Sequence, residues 1–170
     1  MIKKSALDEH YTLITAPHYP YYRPHHTSKR HSMTGTHRAL VGIGGNIGDV
    51  VRRFERLYWF FRHSRFVTLL ESAPILRNPP FGFLEQADFY NSIMLLETSL
   101  TPRELLHYLL RVEKRFGRKR FLKDGPRTLD LDILFYDDIQ IDTKELTIPH
   151  PEWMNRDSVL IPLKYMKGRR

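Results

Sequence analysis

The chain has 170 residues, one ordinary domain's worth, and its 41% hydrophobic and 12% aromatic residues are enough to fill a core and exclude wholesale disorder. It has no cysteine, which excludes a disulfide scaffold, a Cys-ligated zinc site, an iron–sulfur cluster and a thiol nucleophile, and no apolar run approaches the ~20 residues of a membrane span. Lys+Arg 27 against Asp+Glu 19 leaves +8, so an anionic partner is expected: nucleic acid, a phospholipid surface or a phosphorylated small molecule.

Residues 1–37 read as a flexible His-rich extension and residues 38–170 as the working domain. The first 38 residues hold six of the nine histidines and half the excess charge, and HYTLITAPHYPYYRPHH has no period of 2 or 3.6 from which to draw a buried face. No apolar h-region follows the lysines, so the segment is not a secretory signal. Met33 offers an alternative translation start, which the intact mass of the native protein decides.

From Ala39 the periodicities sharpen. Ala39–Ile43 reads as a buried strand, and Gly44, Gly45, Asn46 and Gly48 as a tight turn. Asp49–His63 carries Val50, Phe54, Leu57, Tyr58 and Phe61 at helical spacing. Phe66–Glu71 is a second strand, and Leu76–Asp88 a long loop because Pro79, Pro80 and Gly82 forbid a regular ladder. Phe89–Glu97 is a third strand. Thr101-Pro102-Arg103-Glu104 is a capping box opening a helix whose apolar face runs through Leu105, Leu109 and Val112 to a stop at Gly117. Thr128–Tyr136 is a fourth strand. Ile139–Ile141 and Leu146–Ile148 flank a turn, and an apolar stretch runs Ser158–Leu163. This order predicts an α+β fold: a ferredoxin-like βαββαβ sandwich, its antiparallel sheet carrying helices on one face, with extra C-terminal elements.

Three features could carry chemistry. GIGGNIGD fails the dinucleotide fingerprint, because Ile47 stands where the third glycine is required, and it lacks the GK[ST] of a Walker loop. It is either a turn needing positive φ or a backbone that lets a flat ligand approach. Second, Asp130 and Asp132 stand at i and i+2 on a strand and share a face, opposite Leu129, Leu131 and Ile133. Spacing alone leaves arginine salt bridges and a Mg²⁺ site equally open. Third, Arg118, Lys119, Arg120, Lys123 and Arg127 lead into that strand. Bare acids would repel a nucleic-acid backbone, so a basic run beside them favours metal-dependent phosphate chemistry. His150, held between Pro149 and Pro151, is either structural or a phosphate contact.

GGNIGD, NPPFGFLEQADFYNSIMLLET, RFGRKRFLKDGPRTLDLDILFYDD and IPHPEWMNRDSVLIPL, in that order, resemble the 6-hydroxymethyl-7,8-dihydropterin pyrophosphokinases of folate synthesis. The resemblance spans about Arg38 to Met166, and GPRTLDLDI with GRxR upstream is its most specific part. It implies transfer of the β,γ-diphosphate of ATP to the pterin hydroxymethyl group, giving AMP. By resemblance, Asp130 and Asp132 hold two Mg²⁺ ions, and Arg118, Arg120 and Arg127 are catalytic, Arg118 and Arg127 through the phosphates and Arg120 through loop closure. Ile133, Leu146, Thr147, His150 and Arg156 fall on the ATP side together with Arg118 and Arg127. Gly44, Asn46, Asn78, Pro79, Pro80, Phe81, Phe89 and Asn91 fall on the pterin side.

Asp124 stands where many members have tryptophan, and Ser158 where an aromatic usually closes the second pterin face; the candidate substitutes are Phe81, Phe83 and Trp153. The implied partners are ATP and the pterin, with no nucleic acid and no membrane. The implied protein is a cytoplasmic monomer with a possible neighbouring folate-pathway enzyme. The competing expectations are a basic ferredoxin-like nucleic-acid-binding module and a metal-dependent phosphohydrolase.

Overall fold

Apolar side chains alternate along the strands so that both faces of one antiparallel sheet are hydrophobic, and helix covers each face. The structure, a computed structural model, describes residues 1–15, 20–21, 36–118 and 125–168. In chain order its elements begin with β1 (Lys3–Ala6), β2 (Thr12–Thr15), β3 (His37–Gly45), α1 (Val50–Arg62), β4 (Val67–Ser72) and β5 (Ile75–Asn78). They continue with β6 (Phe89–Thr98), α2 (Pro102–Arg115), β7 (Asp130–Tyr136), β8 (Ile141–Asp142), β9 (Thr147–Ile148), a 3-10 turn (Trp153–Asn155) and α3 (Asp157–Lys164).

The sheet runs β1-β2-β5-β6-β3-β7, with β4 also paired to β6, and every pairing is antiparallel. On one face Val41, Ile43, Leu96, Leu131 and Ile133 meet α1 and α2. All five residues expected on the buried face of α1 are buried there, and Asp49 Oδ1 caps the helix by accepting from Arg52 N at 3.0 Å. The capping box of α2 is present: Glu104 Oε2 accepts from Thr101 N at 2.8 Å.

On the opposite face Leu70, Ile93, Leu95 and Leu134 pack with Val159 and Met166, so α3 and its C-terminal continuation cover it. Helix therefore lies on both faces, where the sequence pattern placed it on one. The backbone N–H groups of Lys167 and Gly168 donate to Glu71 at 2.6 and 2.7 Å, pinning that continuation to β4. Among the described residues no helix is long and apolar enough to cross a membrane.

Several expectations need correction. Gly44 and Gly45 belong to β3, and among the turn glycines only Gly48 has positive φ, 71°. β3 stays regular to Gly45 because glycine lets another backbone pass close by: a Cβ on Gly45 would lie 2.6 Å from Thr128 O. β7 begins at Asp130, not Thr128. The first three residues of the expected Leu76–Asp88 loop, Leu76, Arg77 and Asn78, belong to β5, because their backbone finds partners in β2 and β6.

The largest difference lies upstream. Against the expectation of a mobile arm, residues 3–15 form a hairpin whose second strand pairs with β5, Leu13 opposite Leu76 and Ile14 opposite Ile75. Ile14 is 1% exposed and joins the core beneath α1 and α2. Of this short strand only Ile14 joins the core cluster, and one residue shows no period. Truncating Ile14→Ala should destabilise the protein by about 2–4 kcal/mol in urea unfolding, the typical range for a buried isoleucine. Leu7→Ala, at an exposed position of the same hairpin, should change stability by less than about 0.5 kcal/mol.

Candidate active site

The floor of the site is set by register. Gly44 of β3 lies opposite Asp130 on one side and Asn91 on the other, and Gly42 lies opposite Asp132. A Cβ on Gly44 would come within 2.9 Å of Asn91 Oδ1, so glycine keeps the surface between the acids and Asn91 low. Two cavities open above this part of the sheet. The larger, of about 480 Å³, runs from Asn78, Pro79, Pro80 and Phe81 past Phe89 and Asn91 to Arg127, Asp130 and Asp132, with Asn155–Val159 along another wall. The smaller, of about 240 Å³, is lined by Ile133, Leu146, Thr147 and the Thr143–Glu145 turn. Asp132 and His150 belong to both.

The charged end has a defined order. Asp130 is 5% exposed, while Asp132 is exposed. Arg127 Nη1 donates to Asp130 Oδ2, and Arg118 Nη2 stands 3.5 Å from Oδ1. Arg118 Nη1 also lies 2.6 Å from Glu113 Oε2, an ion-pair contact without the alignment of a hydrogen bond. Glu113 Oε1 accepts from Leu131 N at 2.7 Å. Burial pushes the Glu113 carboxyl up to about 7, with Asp130 and Asp132 adding to the shift and the Leu131 N–H and Arg118 opposing it. Arg127 also carries its guanidinium 5.3 Å above the Phe89 ring, a cation–π contact linking the charged end to the aromatic one.

Asn46 sets the position of Arg127. Its Oδ1 accepts from Arg127 N at 2.9 Å, its own N–H donates to Arg127 O at 3.0 Å, and its Nδ2 donates to Gln86 Oε1 and Ala87 O, each at 3.0 Å. Asn46 therefore lies beside the larger cavity and not in its lining. At the far end Asn91 Nδ2 donates to Asn78 Oδ1 at 2.7 Å, and the Arg77–Asp88 ion pair at 2.8 Å closes the base of the intervening loop. His150 Nδ1 accepts from Glu152 N at 3.2 Å, which selects the tautomer with its proton on Nε2. Burial lowers the His150 pKa, and nearby Asp132 opposes that shift.

Most of the residues picked out from the sequence converge. Gly44, Asn78, Pro79, Pro80, Phe81, Phe89, Asn91, Arg127, Asp130, Asp132, His150 and Arg156 line the larger cavity, and Ile133, Leu146 and Thr147 the smaller. Arg118 stands behind Asp130, in neither lining. Arg120, with Lys119, Lys123 and Asp124, lies outside the described residues. Of the rings expected to substitute for an aromatic at Ser158, Phe81 lines the cavity but is 86% exposed, Phe83 does not line it, and Trp153 packs edge-on against Phe135 with centroids 4.9 Å apart.

Sequence reasoning missed Glu113, Arg53, His10 and Tyr11. Glu113 had a signal, since it continues the Leu105–Leu109 stripe where a charge is unexpected. Arg53 donates to Ile47 O and Thr128 O at 2.7 and 3.0 Å, bracing the same turn. His10 and Tyr11, set aside with the upstream segment, line the larger cavity.

Two hard carboxylate donors beside open space suit a divalent cation such as Mg²⁺. Among the described residues no group of three or more His, Cys, Asp or Glu converges, so such an ion would complete its shell with ligand oxygens and water. The Glu113 shift has a direct consequence for stability. A carboxyl whose pKa rises on folding favours the folded state at low pH, and that advantage is lost as pH climbs from about 4.5 towards about 7. Metal-free denaturation between pH 5 and 8 should show Glu113→Gln removing part of this decline; identical slopes for the two proteins would contradict the assignment.

Comparison with known proteins agrees with this geometry. A family model described as 7,8-dihydro-6-hydroxymethylpterin-pyrophosphokinase matches residues 40–168. The 2-amino-4-hydroxy-6-hydroxymethyldihydropteridine pyrophosphokinase of Helicobacter pylori is 38% identical over 130 residues, 75% of this chain and 80% of its own length. The same-named protein of Campylobacter jejuni is 42% identical over 125 residues, 74% of this chain and 80% of that one. That of Bacillus subtilis is 37% identical, covering 74% and 75%. With the acid pair, the glycine floor and every cavity-lining residue except His10 and Tyr11 inside the matched segment, the chain belongs to the 7,8-dihydro-6-hydroxymethylpterin-pyrophosphokinase family.

Proposed function

We propose that this protein transfers the β,γ-diphosphate of ATP to the hydroxymethyl group of 6-hydroxymethyl-7,8-dihydropterin, releasing AMP, as a step of folate biosynthesis. One observation carries the reading: two cavities of different character share Asp132 and His150, so two substrates can meet at the carboxylate pair. The pterin occupies the larger cavity, with the Asn78 and Asn91 amides at its polar edge and Phe89 against a face. Adenine enters the smaller cavity at Ile133, Leu146 and Thr147, and the triphosphate crosses between them past His150 and Arg156.

In the reaction the pterin hydroxyl oxygen bonds to the β-phosphorus, the bond from that phosphorus to the α,β-bridging oxygen breaks, and the hydroxyl proton leaves to solvent. Asp130 and Asp132 would hold two Mg²⁺ ions, which neutralise polyphosphate charge when bound. Arg127 presents a planar fork to phosphate oxygens, and its bond to Asp130 keeps it aimed. Arg118 acts from behind, neutralising Asp130 and Glu113 together. Arg120 is assigned to closure over the bound substrates. Positioning and charge neutralisation, not a strong base, carry the step.

The strand order β7-β3-β6-β4, with α1 and α2 as crossovers on one face, supports the ferredoxin-like reading of the core. On this reading the enzyme works as a cytoplasmic monomer. The carboxylate pair at the centre of the site disfavours a nucleic-acid backbone as the partner.

Incubation with ATP, Mg²⁺ and the reduced pterin should give AMP, not ADP, and only when pterin is present. Pterin-independent hydrolysis would point to a phosphohydrolase instead. Asp130→Asn and Asp132→Asn should each lower turnover by at least ~10²-fold, the scale of losing one element that stabilises transition-state charge. Near-normal rates in both would remove the metal assignment. Arg127→Ala should slow turnover while leaving the far-UV circular dichroism spectrum unchanged; an unfolded variant would mean its main role is pairing Asp130.

A further inference from the structure

The upstream hairpin lies outside the segment that the family model matches, which begins at residue 40, yet it reaches the site. Three sets of contacts place it there. First, β2 extends the sheet beyond β5 with Thr12 opposite Arg77, so Tyr11 comes one residue further, level with Asn78. Second, the hairpin's turn is organised by Asp8, whose Oδ1 accepts from the backbone N–H of His10 at 2.7 Å and of Tyr11 at 2.8 Å. Third, the Tyr11 hydroxyl donates to Asp157 Oδ2 at 2.8 Å. Asp157 is the first residue of α3 and stands on the same cavity wall as Asn155, Arg156 and Ser158. Tyr11 is thus held at its backbone and at its hydroxyl, and it bridges two walls of the larger cavity.

A flat conjugated heterocycle presents two faces, and leaving either against water forgoes favourable stacking. Phe89 supplies one ring in this cavity, braced by Arg127. Phe81 is almost wholly exposed, whereas Tyr11 is fixed by hydrogen bonds to Asp8 and Asp157 and lines the same cavity as the acids. The neighbouring Ser158 is too small to fill that wall. We infer that Tyr11, held by Asp157, contacts the pterin as a specificity-determining residue, so that the hairpin upstream of the family segment is part of the substrate site.

This rests on the proposed placement of pterin in the larger cavity, and the test separates the two. Wild-type protein is first assayed for pterin-dependent AMP formation; its absence overturns both readings. Tyr11→Ala should then raise the KM for pterin roughly 10-fold, the scale of losing one aromatic platform under a heterocycle. The KM for ATP should stay within about twofold, and Tyr11→Phe, which keeps the ring, should stay nearer wild type for pterin. Equal weakening of both substrates, or an unchanged pterin KM, overturns the inference.

A second measurement does not depend on turnover. The chain has no cysteine, so Tyr11→Cys introduces a single thiol. With a non-hydrolysable ATP analogue at saturation, adding pterin should slow labelling of that thiol by a disulfide reagent at least fivefold. A labelling rate indifferent to pterin, in protein whose wild-type form turns over, overturns the role of the hairpin while leaving the activity standing.

Discussion

Asp130 is nearly buried beside a second buried acid, Glu113, and the fold holds both because Arg118 and Arg127 converge on them. Like charges that close in a poor dielectric are tolerable only when paired and hydrogen-bonded. That requirement explains features far apart in sequence. α2 must end where Glu113 can reach the Leu131 N–H, and Arg118 must follow its last turn closely. Asn46 must grip the backbone of Arg127, so the turn after β3 and the approach to β7 are fixed together. Glycine at 45 allows that approach, since any side chain there would strike Thr128 O.

The second organising fact is the two-sided sheet. One face buries Val41, Ile43, Leu131 and Ile133 under two helices, and the opposite face is divided. Part of it packs Ile93, Leu95 and Leu134 under α3 and its continuation. The rest is left low by Gly42 and Gly44 and becomes cavity. Period-two alternation therefore does two jobs on β7, sending leucine and isoleucine into the core while Asp130 and Asp132 stand over the opening. Shifting β7 by one residue would bury both carboxylates in the core, so register and chemistry are set by one pattern.

Much of this was legible in the residues. The stripe Val50, Phe54, Leu57, Tyr58, Phe61 and the box Thr101–Glu104 are local patterns, and the structure repeats them. The common face of Asp130 and Asp132 followed from strand periodicity alone. What stayed hidden depends on long-range pairing. β2 has four residues and gains its place from β5, more than sixty positions later, so Thr12–Thr15 carried no readable face. Arg118 reads as one cation in a basic run until Glu113 is seen behind it. Arg53 reads as an exposed helix residue, because only the folded chain brings Thr128 O within reach. The smaller cavity is bounded by the β8–β9 hairpin, whose short strands carry too few residues to show a period.

The hairpin also changes where the sheet stops. Without it, the free edge on that side would be β5, with Ile75 and Leu76 offering unpaired backbone amides beside apolar side chains. With it, the outermost strand is β1, four residues long, exposed throughout, and bearing Lys3 and Lys4. A bare apolar edge invites another copy to add a strand, whereas a short lysine-bearing one repels it. The segment that reaches the pocket with Tyr11 thereby also guards the molecule against edge-to-edge self-association.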